Sequence, residues 1–242
     1  MDVDGGEGIT EAIKAAMTDK SVELSKGRKK REPAPTLATQ EEVGGYKQKH
    51  SFPVHLSNAV TCIDAHKSNA NTILTGGADN KVVLFDISSG KQSASMEGHT
   101  KTVNQVLMHP TKDMCFSASA DKTVRAWSNG QAVHTWKHHS GNVTGISLHA
   151  TGDYLVSASM DSTWSFMDLA TGTCRKSVQG EGAGFSAGSF HPDGLILGTG
   201  KADGVVAIWD VKTQQNVVTF SGHSDSVSSI SFSENGYYLA TW

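Results

Sequence analysis

Apolar and polar side chains alternate in short runs along most of this chain, and turn residues separate the runs. The clearest stretch reads VNQVLMH (103–109), MCFSAS (114–119), TVRAW (123–127) and AVHTWKH (132–138), with Pro, Asp, Asn and Gly in between. Runs of this length that are rich in β-branched and aromatic residues are typical of antiparallel strands joined by hairpins. From residue 53 onward no stretch keeps a helical period for long. The pattern predicts an all-β region built from four-stranded units.

The four-stranded unit repeats at a nearly constant distance. Its marker is an Asp in the turn before the third strand, and these residues are separated by 42, 40 and 42 positions: Asp79, Asp121, Asp161 and Asp203. Six positions after each Asp stands a large side chain: Phe85, Trp127, Met167 and Trp209. A period of about 40–42 residues with four strands per repeat is that of a β-propeller blade. We therefore expect an incomplete propeller over residues 53–242, with four blades and about half of a fifth.

The first 52 residues have a different character. The segment 8–25 predicts a short amphipathic helix, which is marginal in isolation, with these residues near one face: Ile9, Ile13, Ala16, Met17, Lys20 and Leu24. A basic run follows it, formed by Lys26, Arg28, Lys29, Lys30 and Arg31, and then a polar linker that contains Pro. Two interpretations of the basic run stay open. It is either a solvated helix end or a nuclear import signal.

Composition narrows the function classes. From residue 51 onward twelve Lys/Arg face fifteen Asp/Glu, and the whole chain carries a net charge of −3, so we expect no direct nucleic-acid binding. No apolar run is long enough to predict a membrane span. The three Cys fall inside predicted strands, where they act as small apolar residues.

The eleven His residues raise the question of metal or acid–base chemistry. Six of them recur with the repeat, in two sets: His99, His139 and His223 at the blade entry, and His109, His149 and His191 in one equivalent turn. No metal-binding or redox spacing of His and Cys is present. We therefore expect structural roles for these residues, no catalytic residue, and no metal or cofactor.

These repeats resemble the WD-repeat family across residues 53–242. In that family a blade-entry His, a Ser or Thr on the second strand, the turn Asp and a Trp on the third strand form a hydrogen-bonded relay. The resemblance implies a complete relay in the second repeat: His99, Ser119, Asp121 and Trp127. The third repeat keeps His139, Ser159 and Asp161 but has Met167 for Trp. The fourth keeps Asp203 and Trp209, with Glu181 and Lys201 at the His and Ser positions.

A narrower resemblance rests on segments that the general repeat does not demand. These include ILTGGAD (73–79), SLHATGDYLVSAS (147–159), FHPDGLILGTG (190–200) and FSENGYYLAT (232–241). They are similar to the pre-mRNA-processing factor nineteen family. The resemblance implies a nuclear U-box ubiquitin ligase of the spliceosome-activating complex, whose seven-bladed propeller docks partners and ubiquitination substrates. By family, it also implies roles in DNA repair and protein ubiquitination.

The sequence departs from that layout in two respects. Residues 1–52 are too short and polar for a U-box, and most of the family's coiled coil is missing, which puts ubiquitin transfer and the tetramer in question. The sequence therefore resembles a fragment. Two functional classes stay open: the docking propeller of a nuclear splicing factor, or a WD-repeat adaptor in cytoplasmic signalling.

Overall fold

The computed structural model describes residues 8–28, 44–45 and 59–242. It begins with a helix, α1 (Glu11–Arg28). The predicted boundary at residues 52 and 53, most of the polar linker, and Lys29, Lys30 and Arg31 lie outside the described residues.

Four antiparallel sheets of four strands each follow the helix, and we number them as blades one to four. Blade one contains β1 (Val60–Ala65), β2 (Thr72–Gly77), β3 (Val82–Asp86) and β4 (Lys91–Met96). Blade two contains β5 (Val103–Met108), β6 (Cys115–Ser119), β7 (Val124–Ser128) and β8 (Gln131–Trp136). Blade three contains β9 (Val143–Leu148), β10 (Tyr154–Ser159), β11 (Thr163–Asp168) and β12 (Cys174–Gln179). Blade four contains β13 (Phe185–Phe190), β14 (Ile196–Lys201), β15 (Val205–Asp210) and β16 (Gln215–Ser221).

A fifth, two-stranded sheet ends the chain, formed by β17 (Ile230–Phe232) and β18 (Leu239–Thr241). In every four-stranded blade each strand pairs with the next along the chain, as hairpin connections require. The all-β propeller architecture predicted from the repeat is therefore the observed one. In the described ranges the five sheets do not close into a ring.

Burial follows the position of a strand within its blade. All five residues of β6 are buried, whereas β8 is exposed along most of its length. In blades two and three the second and third strands are covered on both faces because each of these blades packs between two neighbours. The main apolar clusters accordingly lie between blades, and the one between blades three and four includes Trp164, Phe185 and Trp209.

Side chains on the innermost strands join each blade to the next. The side chain at the second position of each innermost strand carries a hydroxyl or an amide, and this group donates to a backbone carbonyl of the following blade. The four bonds are Thr61 Oγ1 to Val103 O, Asn104 Nδ2 to Val143 O (2.7 Å), Thr144 Oγ1 to Phe185 O (2.7 Å) and Ser186 Oγ to Val227 O (2.6 Å). These bonds keep the inner strands in a fixed stagger where sheet pairing is absent between blades.

The second His set forms another row of contacts between blades. The ring Nε2 atoms donate to Gly carbonyls of the next blade, in the pairs His109–Gly152 (2.8 Å), His149–Gly194 (3.1 Å) and His191–Gly236 (3.0 Å). The Nδ1 atom of His109 accepts from the backbone N–H of Thr111 (3.1 Å), which fixes the tautomer. Each ring therefore bridges its own turn to the neighbouring blade.

The helix α1 packs against the propeller. Its first turn is capped by Thr10, whose hydroxyl accepts from the Ile13 backbone N–H (3.4 Å). Ile9, Ile13 and Met17 are buried in the apolar cluster of blades three and four. The predicted apolar face was only partly right, since Ala16 is exposed and Ser21 is buried instead. The buried residues Ile9, Ile13, Met17 and Ser21 are each four positions apart, whereas the predicted face mixed spacings of three and four.

No helix in the described part of the chain combines the length and apolar character that a membrane crossing needs. The three cysteines are free, and they lie in β1, β6 and β12, within strands as predicted.

Candidate functional site

The hydrogen-bonded corner of blade two is the most densely bonded polar site of the repeats. The indole Nε1 of Trp127 donates to Ser117 Oγ (2.8 Å), and His99 Nε2 lies 2.7 Å from the same oxygen. His99 Nδ1 lies 2.8 Å from Asp121 Oδ2. Because an indole can only donate, the chain runs from Trp through the Ser hydroxyl to the His ring and the carboxylate.

The carboxylate of Asp121 also binds the blade-entry loop and its own turn. It accepts from the backbone N–H of Thr100 (3.0 Å) and of Thr123 (3.0 Å). The corner therefore fastens the incoming loop, the second strand and the third strand together at a point where strand pairing ends.

Ser119 does not take part in this relay, contrary to the sequence-based assignment. Its hydroxyl donates to the Lys101 carbonyl (3.0 Å) and accepts from the Asp121 N–H (3.1 Å). The relay hydroxyl belongs to Ser117, two residues earlier on the same face of β6. Ser119 lies at the strand end, beyond the reach of the Trp127 indole, because residues two apart on a strand are separated along its axis.

Blade three repeats the corner with one residue missing. His139 Nε2 lies 2.7 Å from Ser157 Oγ, and its Nδ1 lies 3.1 Å from Asp161 Oδ2. Ser159 is again displaced from the relay, and its Oγ accepts from the Asp161 N–H (3.2 Å). Met167 is fully buried at the Trp position and offers no donor, so the relay ends at the Ser157 hydroxyl.

Blade four keeps the indole bond and replaces the remainder. Trp209 Nε1 donates to Thr199 Oγ1 (2.9 Å), so Thr199, rather than Lys201, occupies the hydroxyl position. Lys201 is buried, and its Nζ donates to the Glu181 carbonyl (2.7 Å) in the entry loop. Asp203 Oδ1 accepts from the Val205 N–H (3.2 Å) within the turn.

The repeat itself contained the signal for the correct hydroxyl. Across the four blades the true position holds Thr75, Ser117, Ser157 and Thr199, each with a hydroxyl. The position chosen from sequence holds Gly77, Ser119, Ser159 and Lys201. Aligning the four repeats with one another would have distinguished these two positions. The Ser-Ala-Ser segments of blades two and three are ambiguous by themselves.

Burial and bonding set the charge states of the blade-two corner. Burial lowers the pKa of His99, although Asp121 opposes this shift. Burial acts to raise the pKa of Asp121, but hydrogen bonds from Thr123, His99 and Thr100 outweigh it and leave the pKa below its ordinary value. A neutral ring beside an ionised carboxylate results. With both ring nitrogens engaged, this arrangement supports the fold rather than proton transfer to a substrate.

The adjacent pair His138–His139 does not form a metal site. The centroids of their rings lie 4.4 Å apart. Both ring nitrogens of His139 are engaged, and burial lowers the pKa of His138 to about 3. Across residues 8–28, 44–45 and 59–242, no three His, Cys, Asp or Glu side chains are grouped to hold a metal ion.

The basic run is described only at its beginning. Lys26 is exposed on the last turns of α1, and Arg28 ends that helix. The other three basic residues lie outside the described ranges, so the import signal stays a prediction.

Comparison with known proteins defines the family. The model of the WD domain, G-beta repeat, matches five segments of the chain: 46–86, 90–128, 130–168, 172–210 and 214–241. These segments cover most of the sequence, and each of the middle three spans the last strand of one blade and the first three strands of the next. The chain therefore belongs to the WD-repeat family.

Several curated relatives share one name. The chain is 43% identical over 98% of its length to "Pre-mRNA-processing factor 19" of Oryza sativa subsp. japonica, and covers 47% of that protein. It is 47% identical over 96% of its length to the human protein of the same name, and covers 48% of it. For "Pre-mRNA-processing factor 19 homolog 2" of Arabidopsis thaliana the identity is 43% over 97% of the chain. The chain spans about half the length of the curated relatives it matches.

Proposed function

We propose that this chain is the partner-docking propeller of a nuclear pre-mRNA splicing factor. The observation that carries the proposal is the identity of 43% to 47% across nearly the whole chain with proteins named for pre-mRNA processing. The match covers 96% to 98% of the chain, so it extends beyond the WD segments, which begin at residue 46. A signalling adaptor that shared only the WD repeat would not be expected to match over that length.

Within that factor, the role of the propeller is to bind other proteins rather than to catalyse a reaction. Most of the polar residues that recur in the blades are buried or half-buried and hydrogen-bonded, and they stabilise corners and blade contacts. A rigid scaffold of this kind presents its turns and rims to other proteins. We propose that its partners are proteins of the spliceosome-activating complex and ubiquitination substrates, and that ubiquitin transfer depends on a conjugating-enzyme surface that these blades do not supply.

A replacement experiment tests the splicing role. In nuclear extract depleted of pre-mRNA-processing factor 19, we would add back that protein with its matching segment exchanged for this chain. Splicing of a reporter pre-mRNA should recover. The control exchange uses WD repeats of equal number from a cytoplasmic signalling protein, and it should not restore splicing. If both exchanges behave alike, the chain is a general adaptor.

Nuclear entry is proposed to depend on the basic run, because five cationic residues within six positions bind acidic grooves of import receptors. A fluorescent reporter fused to residues 8–58 should accumulate in the nucleus. Substitution of Arg28, Lys29, Lys30 and Arg31 by Ala should move it to the cytoplasm, whereas Lys14→Ala with Lys20→Ala should not. A reporter that stays nuclear after the fourfold substitution would contradict the proposal.

A further inference from the structure

Positive charge gathers at the corner of blade two where the entry loop meets the second and third strands. Four of the twelve Lys and Arg residues from residue 51 onward lie there, and we call them the cationic corner: Lys101, Lys122, Arg125 and Lys137. Lys101 lies in the entry loop, Lys122 in the turn before β7, Arg125 on β7, and Lys137 directly after β8. The three lysines are exposed, and Arg125 is half-buried.

Hydrogen bonds and strand pairing bring the three lysines to one turn. The Lys101 carbonyl accepts from Ser119 Oγ (3.0 Å), and the Lys122 N–H donates to the Ser119 carbonyl (3.2 Å). Strand β8 pairs with β7 up to its last residue, Trp136, and Lys137 is the next residue along the chain. Lys137 therefore lies across the hairpin from the turn that contains Lys122.

Arg125 brings a guanidinium group to the same corner. A Cβ on Gly98, the residue before His99, would lie 2.5 Å from the Nη1 atom of Arg125. The Cζ atom of Arg125 lies 5.8 Å from the centroid of the Trp127 ring, so the guanidinium is held against the indole. Its Nε atom is buried and has no hydrogen-bond partner in the described part of the chain. Because a buried charged donor without an acceptor is costly, stability alone does not account for this arginine.

The carboxylates beside the cationic corner are already engaged. Asp121 lies 2.8 Å from the Nδ1 atom of His99 and also accepts from two backbone N–H groups. Glu97, at the start of the entry loop, forms an ion pair with Lys81 of blade one (2.7 Å). These two acidic residues therefore leave the positive charge around Arg125 uncompensated.

The equivalent positions in blades three and four carry no positive charge. Strand register and the positive φ of the turn residue define the correspondence. Blade three has Gly141, Ser162, Ser165 and Gln179 at these positions, and blade four has Ala183, Gly204, Ala207 and Ser221. Lys122 has a φ of 73°, a conformation that favours Gly or Asn over Lys. The fold of a blade therefore does not require the charges of the cationic corner.

We propose that the cationic corner is a docking site for an acidic segment of a partner protein. One carboxylate of that segment accepts two parallel hydrogen bonds from the Arg125 guanidinium, including one from Nε, and the adjacent acidic side chains approach the lysines. The inference rests on the docking role proposed above, to which it adds the surface and the chemistry of the partner, and it does not depend on the splicing role.

A short acidic peptide suits this surface better than a nucleic acid. The positive charge is confined to one corner, and from residue 51 onward fifteen Asp and Glu outnumber the twelve Lys and Arg. An extended phosphate backbone needs a continuous basic surface, whereas a few adjacent carboxylates need only the corner.

Nitrogen NMR of the arginine side chains tests the site directly. The probe is a peptide with a run of alternating Asp and Glu, added to the full chain. The Nε–H signal of Arg125 should shift in a saturable manner, whereas that of Arg175 should not, because Arg175 already donates to Asp168 from Nε (3.1 Å) and Nη2 (2.7 Å). A peptide with Asn and Gln in place of the acidic residues should shift neither signal. Absence of the Arg125 shift, or equal shifts of both arginines, would overturn the proposal.

Matched variants separate a loss of binding from a loss of fold. Arg125→Gln should weaken binding of the acidic peptide about tenfold. Lys122→Gly should weaken it about threefold without destabilising the turn, because Gly suits the positive φ at this position. Lys112→Gln removes the same charge from a residue paired with Asp153 (2.9 Å) in another turn, and should change the affinity less than about twofold. Thermal denaturation of each variant measures its stability.

The outcomes that contradict the proposal are distinct from those that concern splicing. Peptide binding that survives both Arg125→Gln and Lys122→Gly, or that falls equally with Lys112→Gln, would overturn it. A single-stranded RNA of equal charge serves as competitor, and tighter RNA binding that the same two variants abolish would overturn it in favour of a phosphate site. Failure of the peptide to bind leaves the result of the splicing exchange unaffected, so the two proposals are tested separately.

Discussion

Blades two and four solve the same structural problem with different chemistry. In both, a buried indole donates to a hydroxyl on the second strand: Trp127 to Ser117, and Trp209 to Thr199. In blade two the entry loop is then held by a His ring and a carboxylate. In blade four the Lys201 ammonium group reaches the Glu181 carbonyl instead.

Between these two blades the comparison separates a constant part of the corner from an exchangeable one, and blade three, with Met167 at the Trp position, lacks the constant part. The indole–hydroxyl bond joins the second and third strands inside the core, where an unpaired polar group is costly. The link to the entry loop lies at the edge, where a cation and a backbone carbonyl substitute for an imidazole and a carboxylate.

The largest effect should come from the constant part. Trp127→Ala and Trp209→Ala should each lower the free energy of unfolding by about 3–5 kcal/mol, the range for removal of a large buried aromatic side chain. Both side chains are at most 5% exposed. Chemical denaturation of the two variants and the parent chain measures the losses. A much smaller loss for Trp209 would show that the indole bond is not constant between blades.

Substitutions in the exchangeable part should change the free energy of unfolding by different amounts in the two blades. Asp121→Ala should cost at least about 1–3 kcal/mol, because it leaves the His99 ring and the N–H groups of Thr100 and Thr123 without an acceptor. Asp203→Ala should cost less, since Lys201 holds the loop of blade four independently of this carboxylate. The same denaturation assay compares them. Equal losses would refute the division of roles.

A smaller difference separates the two serines of β6. Ser117→Ala should destabilise the chain by about 1–3 kcal/mol, because Trp127 and His99 both lose a buried partner. Ser119→Ala should cost less, although Ser119 is itself buried, since its two partners are backbone groups of Lys101 and Asp121, residues that are exposed and half-buried. If Ser119→Ala is the more damaging substitution, the assignment of the relay hydroxyl to Ser117 is wrong.

As the pH is lowered, blade two should be destabilised before blade four. The folded pKa of His99 lies below its ordinary value of 6.5, so the unfolded chain takes up the proton first and stability falls as the pH drops below that value. The pKa of Asp121 lies below 3.8, so its contribution is present above that pH and is lost as the pH falls through the folded pKa. Amide hydrogen exchange of the two blades, corrected for intrinsic rates, should show this order between pH 7 and 4. His99→Gln should reduce the difference, and equal protection in both blades would contradict it.

Sequence reasoning located the blades well because the repeat fixes their positions independently of local detail. The strand predicted at 103–109 is observed as β5 (Val103–Met108), and that at 123–127 as β7 (Val124–Ser128). Sequence reasoning assigned the wrong relay hydroxyl because Ser117 and Ser119 share one face of β6, and the alternation of side chains alone does not distinguish them. The distance to the indole decides between the two, and that distance exists only after the third strand pairs.

The order of strands, the blade period and the structural character of the recurring Asp and His residues were determined by sequence alone, because turn chemistry and alternation are local. The tertiary structure decided which groups meet across blades. It brought His149 to the Gly194 carbonyl, Lys201 to the Glu181 carbonyl, and Met17 of α1 into the cluster of blades three and four. Contacts between residues so distant in sequence depend on the stagger and separation of packed sheets. No single segment of the sequence encodes that geometry.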